Sequence, residues 1–311
     1  MNTRNIRFRS NKVSDILALF HEELDPLYGH GEVTAFGEML FEAFLGWDRV
    51  KLLTSKDHTV NQSDLLRFHW ALEDLRRHRP IQHIIGHVDF CGCRLRVTPD
   101  VLIPRPETEE IVNYLLSTFH FPFSTSPLST PQVLDLCTGS GCIAIALKKA
   151  FPTADVTAVD ISPEALAIAR QNAHDNATDV TFLQADVLAI PSDKTFHFPL
   201  STFHLIVSNP PYVMEKERAQ MQPNVLDHEP PLALFVPDDD PLRFYRAIAA
   251  IAQSHLANDG LLALEINEAL AADTCALLHQ HGFDPQVHQD FRGRDRLVTA
   301  HRHPRNNQPR L

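Results

Sequence analysis

The chain has 311 residues, 44% of them hydrophobic, with a formal charge of −11 and a pI near 5.9. That length exceeds what one domain usually needs, so two domains are expected, and the acidic balance argues against a broad electrostatic grip on nucleic-acid phosphates. Five cysteines without a regular framework of spacings, a start (Met1-Asn2-Thr3-Arg4) without a signal-peptide apolar region and no apolar run of bilayer length predict a soluble, cytoplasmic protein.

The first part of the chain reads as helices. Val13, Ile16, Leu17, Phe20 and Leu24 recur at helical spacing, as do Phe36, Leu40 and Phe44. Ser63 is the expected N-cap of a helix carrying Leu65, Leu66, Leu72 and Leu75, closed by Arg76, Arg77, Arg79 and Pro80. A helical domain over residues 1–86 follows, its role the presentation of a surface or simple support.

His87 to Val97 reads as two short alternating strands about Gly92. His83, His87, Cys91 and Cys93 lie near one another in sequence, but a Cys-Gly-Cys at a hairpin tip is not a zinc-finger spacing, and no metal is expected. A linker over 87–103 then meets Ile103-Pro104-Arg105-Pro106-Glu107-Thr108-Glu109-Glu110. Pro106 and the three glutamates suit a helix N-terminus, and the rigid Pro-Arg-Pro turn is equally compatible with lining an active site. The Ser/Thr/Pro-rich stretch Phe119 to Pro131 and the polar insert Pro191 to Thr202 are expected surface connections.

From there strand and helix signals alternate: strands at 132–137, 155–161, 180–186, 203–208, 261–266, 287–291 and 296–301, and helices at 142–151, 163–176, 241–256 and 268–281. This predicts a doubly wound α/β domain over 104–311, its parallel sheet carrying one antiparallel strand near the end. The first crossover, Asp135-Leu136-Cys137-Thr138-Gly139-Ser140-Gly141, has the glycines that let backbone approach a ligand, although Cys137 stands at the first glycine position of a dinucleotide fingerprint. Asp160 and Asp186 end the next two strands. The first suits ribose hydroxyls and the second an adenine amino group, with Val187 against the ring.

The strand at 203–208 ends in Asn209-Pro210-Pro211-Tyr212. Two prolines stop the ladder and stiffen the turn at a strand's C-terminal edge, where open α/β sheets bind ligands. An amide or exocyclic amino nitrogen attacks poorly because its lone pair is delocalised. Acceptance of its two N–H groups by the Asn209 side-chain oxygen and the Pro210 carbonyl would orient it and stabilise its developing charge during attack on a sulfonium methyl. Tyr212 is expected to pack against the substrate amide. The ordered set of loop, acid, acid and Asn-Pro-Pro-Tyr points to S-adenosylmethionine as cofactor.

These motifs, together with Pro80-Ile81-Gln82-His83-Ile84-Ile85-Gly86 and Phe291-Arg292-Gly293-Arg294-Asp295-Arg296, resemble the HemK/PrmC family, the N5-glutamine methyltransferases of peptide chain release factors. The resemblance runs from Pro80 onward. It implies a helical N-terminal domain that helps engage the release factor, a β-hairpin and a Rossmann-like methyltransferase domain. It further implies cofactor contacts at Cys137 to Gly141, Asp160, Val187 and Asn209, and a substrate-glutamine clamp at Asn209 to Tyr212. A ribosomal protein as substrate and adenine-N6 methylation of nucleic acid are the alternative chemistries. A cofactor-binding scaffold without activity is the alternative from another class.

Overall fold

The computed structural model describes residues 8–119, 130–191, 196–199 and 202–303. The chain's first and last residues, most of the connection expected at 119–131 and half of that expected at 191–202 lie outside the described residues. The chain forms two compact units, one of residues 1–86 with 222–228 and one of residues 87–221 with 229–311. Among the described residues no helix is long and apolar enough to cross a membrane.

The first unit is helical: α1 (Val13–Tyr28), α2 (His30–Leu45), α3 (Arg49–Thr54), α4 (Gln62–Arg76) and the short α5 (Ile81–Ile85). Its core is built from the periodic apolar positions Val13, Ile16, Phe20, Leu24, Leu40 and Phe68, all essentially inaccessible. The start of α4 differs from the sequence reading. Asn61 is the N-cap, its Oδ1 accepting the Asp64 amide at 2.8 Å, while the Ser63 hydroxyl donates to the same oxygen at 2.7 Å. Asparagine caps at least as well as serine, and here it lies at the residue just before the first helical turn.

The second unit opens with the hairpin β1 (His87–Phe90) and β2 (Cys93–Arg96). Its two-residue tip, Cys91 and Gly92, takes φ of 46° and 71°, the left-handed pair that matches strand twist. Next come α6 (Pro106–Thr118), β3 (Gln132–Leu136), α7 (Cys142–Ala150), β4 (Asp155–Asp160), α8 (Pro163–Asp175), β5 (Val180–Gln184) and β6 (Phe203–Ser208). The chain continues through β7 (Val213–Met214), the single turn α9 (Pro223–Leu226, which belongs to the first unit), β8 (Phe235–Val236) and α10 (Arg243–His255). It closes with β9 (Leu256–Glu265), α11 (Ala271–Gln280), β10 (Phe283–Gln289) and β11 (Asp295–Arg302).

The described residues form a seven-stranded sheet in the order β10-β11-β9-β6-β3-β4-β5. The pairs β9–β6, β6–β3, β3–β4 and β4–β5 are parallel, and β11 runs antiparallel to both its neighbours. Alternation along β3 sorts the two faces. Leu134 and Leu136 join the core that α10 and α11 cover, and Val133 joins the one beneath α6 and α7. The chain reverses direction across the sheet at β3, so the C-terminal ends of β3, β4 and β6 flank the switch point where such sheets bind ligands.

Candidate active site

At those strand ends a cavity of about 330 Å³ opens, a size that suits a small-molecule ligand. The loop after β3 forms one wall. Cys137 adopts φ of 60°, so the cysteine at the glycine position takes the left-handed conformation that a glycine would take, at some cost in strain. Gly139 (φ 54°) and Gly141 (φ 83°) complete the turn. At Gly141 a Cβ would lie 3.0 Å from Ile145 Cδ1 and 3.1 Å from Ala169 Cβ, so the absent side chain lets α7 and α8 close behind the loop.

Two carboxylates hold this loop. Asp135, fully buried beneath α7, accepts the Thr138 hydroxyl at 2.6 Å and the Ala144 amide at 3.2 Å on Oδ2. Burial pushes its carboxyl up to about 7, against the pull of those two donors. Asp160, at the end of β4, accepts the Gly139 amide on Oδ2 (2.8 Å) and the Ser162 amide on Oδ1 (2.9 Å). Desolvation raises its pKa in spite of these backbone donors. Asp186 accepts the Leu188 amide at 2.9 Å, and Val187 behind it is buried.

Cys137, Thr138, Gly139, Ser140, Asp160, Asp186, Val187 and Asn209 all line the cavity. Asp135 and Gly141, grouped with them from the sequence, act as supports behind the loop. Of the Asn-Pro-Pro-Tyr turn, Asn209 and Pro211 line the cavity, and Pro210 is buried. Tyr212 is placed otherwise than the sequence reading has it. Its ring packs on the core, and its hydroxyl donates to Glu265 Oε1 at 2.9 Å. The reason is Glu265 itself, a carboxylate only 2% exposed that must find donors. Thr108 supplies the second donor, its Oγ1 donating to Glu265 Oε2 at 2.7 Å.

Several residues of this site carry no recognisable signal alone. Thr108 and Pro104 do line the cavity, so the Pro-Arg-Pro segment both starts α6 and faces the site. The turn is fixed by the buried Glu229, which pairs with Arg105 and accepts the Ile103 amide at 3.0 Å. Glu265 and Glu229 are single acids in unremarkable contexts, and only the fold brings them here. The His83, His87, Cys91 and Cys93 group does not converge. Among the described residues the one set of metal-capable side chains within 4.8 Å of one another is His21, Asp25 and His30.

A parallel sheet with a glycine loop, strand-end acids and an Asn-Pro-Pro-Tyr turn around one cavity defines a Rossmann-like methyltransferase. The family description "Methyltransferase small domain" matches residues 113–228, and "PrmC N-terminal domain" matches residues 27–86. The release factor glutamine methyltransferase of Bacteroides thetaiotaomicron is 41% identical over 92% of this chain and 99% of its own. That of Flavobacterium psychrophilum is 39% identical over 90% and 96%. A solved protein-(glutamine-N5) methyltransferase (release factor-specific) from Alicyclobacillus acidocaldarius is 28% identical, with 68% of this chain and 100% of that chain covered, at a TM-score of 0.39. The chain belongs to the release factor glutamine methyltransferase family.

Proposed function

We propose that this protein acts in the cytoplasm to transfer a methyl group from S-adenosylmethionine to the side-chain nitrogen of the glutamine in the Gly-Gly-Gln motif of peptide chain release factors. The observation that carries this reading is that the glycine loop, both strand-end acids and Asn209 open on one cavity. The donor set suits the cofactor. The Asp160 carboxylate would receive ribose hydroxyls, Asp186 would receive the adenine amino group, and Val187 would flank the ring. When bound, S-adenosylmethionine supplies a methyl carbon made electrophilic by its sulfonium.

The chain's own residues then do the orienting. The Asn209 side-chain oxygen and the Pro210 carbonyl accept the two N–H groups of the glutamine amide. This turns its nitrogen toward the cofactor and stabilises the positive charge that builds there. No strong base is required, because the nitrogen becomes acidic as it becomes cationic. Tyr212 holds the turn from behind through Glu265. The helical unit engages the protein substrate.

Incubation with labelled cofactor and, in parallel, release factor, ribosomal protein and DNA tests the reading; label is expected in the release factor alone. Asn209→Ala should abolish transfer while retaining much of the cofactor affinity, and unchanged turnover in that variant defeats the clamp.

A further inference from the structure

We infer that Thr108 and Glu265 are positioning residues that fix which end of the Asn209 carboxamide faces the substrate. The inference rests on the clamp reading above and deepens it. A carboxamide has an acceptor end and a donor end of nearly the same shape, and only the acceptor end can receive the N–H groups of a glutamine. Asn209 therefore needs something to choose between its two orientations.

The hydrogen-bond chain behind it makes that choice. Burial of Glu265 raises its pKa, and the two hydroxyl donors of Thr108 and Tyr212 together with the nearby charge of Arg296 pull it back toward the ionised form; as a carboxylate it can only accept. It takes the Tyr212 hydroxyl proton on Oε1 at 2.9 Å and the Thr108 hydroxyl proton on Oε2 at 2.7 Å. A hydroxyl has one proton, so Thr108, having given its own to Glu265, can only accept from its other neighbour. That neighbour is Asn209, whose Nδ2 lies 3.2 Å from Thr108 Oγ1. The amine end of Asn209 is held at Thr108, and the oxygen end is left for the cavity that both residues line. The direction of every bond follows from one buried negative charge.

The variants that test this change hydrogen-bond polarity with little change in shape. Thr108→Val removes the acceptor and leaves the Asn209 amide free to flip. Glu265→Gln lets an amide N–H face Thr108, which frees the threonine proton to point at Asn209 and favours the inverted amide. Both should lower kcat on the release factor by roughly tenfold to a hundredfold, the cost of a misoriented reacting group. Thr108→Ser should restore it. S-adenosylmethionine affinity by calorimetry should fall far less than kcat in all three, because the glycine loop, Asp160, Asp186 and Val187 are untouched. In the absence of cofactor and substrate, the Asn209 side-chain NH₂ resonances, assigned by their disappearance in Asn209→Ala, should shift in Thr108→Val and return in Thr108→Ser.

Full kcat in Thr108→Val or Glu265→Gln, alongside an inactive Asn209→Ala, overturns the positioning role and leaves the clamp standing. Full activity in Asn209→Ala overturns the clamp itself. If Thr108→Val fails to fold, the volume-conserving Glu265→Gln gives the same reading. A kcat loss matched by an equal loss of thermal stability and cofactor affinity, without rescue by serine, means Thr108 is merely structural and also overturns the inference.

Discussion

At the scale of the residue, the cavity is shaped by carboxylates that accept the backbone amides of the loop, and in the proposed reading the ligand as well. Asp160 shows the overlap, since the oxygens assigned to the ribose also hold the Gly139 and Ser162 amides. Asp160→Ala should therefore weaken cofactor binding on two counts, by losing the ribose contact and by releasing the glycine loop. The expected loss is about 2–4 kcal/mol, the range for hydrogen bonds to a charged group removed together. Calorimetry measures it, and unchanged affinity would contradict the ribose role. Asp135 makes a different prediction. Its pKa is raised from 3.8 to about 7, chiefly by burial. A carboxyl whose folded value lies above its unfolded value binds its proton more tightly when folded. Its contribution to stability is thus complete below pH 3.8 and is lost as pH rises through 7. Asp135→Asn, which keeps an acceptor for Thr138 and Ala144, should flatten the fall in unfolding free energy between pH 5 and 8 by on the order of 1–3 kcal/mol. Parallel slopes for variant and parent in urea titrations across that range would refute the assignment.

At the scale of the element, two requirements coincide where α7 leaves the glycine loop, a positive φ and little room for a Cβ. Gly141→Ala places a methyl about 3 Å from Ile145 and Ala169 and asks an L-residue to hold a φ of 83°. A destabilisation of about 1–3 kcal/mol is expected from overpacking and strain together, read as a lower denaturation midpoint. The same crossover shows why much of the fold was legible before the structure. Strands of the parallel core are short apolar runs closed by the glycine loop, an acid or the Asn-Pro-Pro turn, and the helices between them keep their period, so β3, β4, β6, α7 and α8 fall within a residue or two of expectation. Where legibility failed, a local signal was true but incomplete. The strand expected at 261–266 begins five residues earlier, and the chain bows outward at its start, with Asn258 and Asp259 exposed and the register to β6 irregular. Even so, β9 runs through it from Leu256 to Glu265. Pro285 hid the first half of β10, which tolerates a missing N–H because it lies at the edge of the sheet. Of the site, the ligand-facing motifs were readable because they are contiguous. The chain from Asn209 through Thr108 to Glu265 was not, because it joins residues 101 and 157 positions apart that meet only in three dimensions.

At the scale of the whole molecule, the two units are built on separate cores. Val13, Phe20, Leu40 and Phe68 belong to the helical one, while the two faces of the sheet form the others. Every residue that lines the cavity, and every residue of the Asn209 chain, belongs to the second unit. A chain lacking residues 1–86 should therefore keep the sheet and bind S-adenosylmethionine with an affinity within a few fold of the parent, since no cofactor ligand is lost. The deletion does strip one segment of its support, because Gln222–His228 packs with the helical unit, and the ring of His228 meets the Arg77 carbonyl at 3.1 Å. Local loosening there is expected, which makes a cofactor titration a needed control. With binding intact, transfer to the whole release factor should fall steeply, while transfer to a short peptide bearing Gly-Gly-Gln should fall little relative to the parent's rate on that peptide. Such a split locates protein engagement in the helical unit and chemistry in the sheet. A truncated chain that methylates the intact release factor at the parental rate would remove the substrate-engaging role from residues 1–86 and leave them a stabilising appendage.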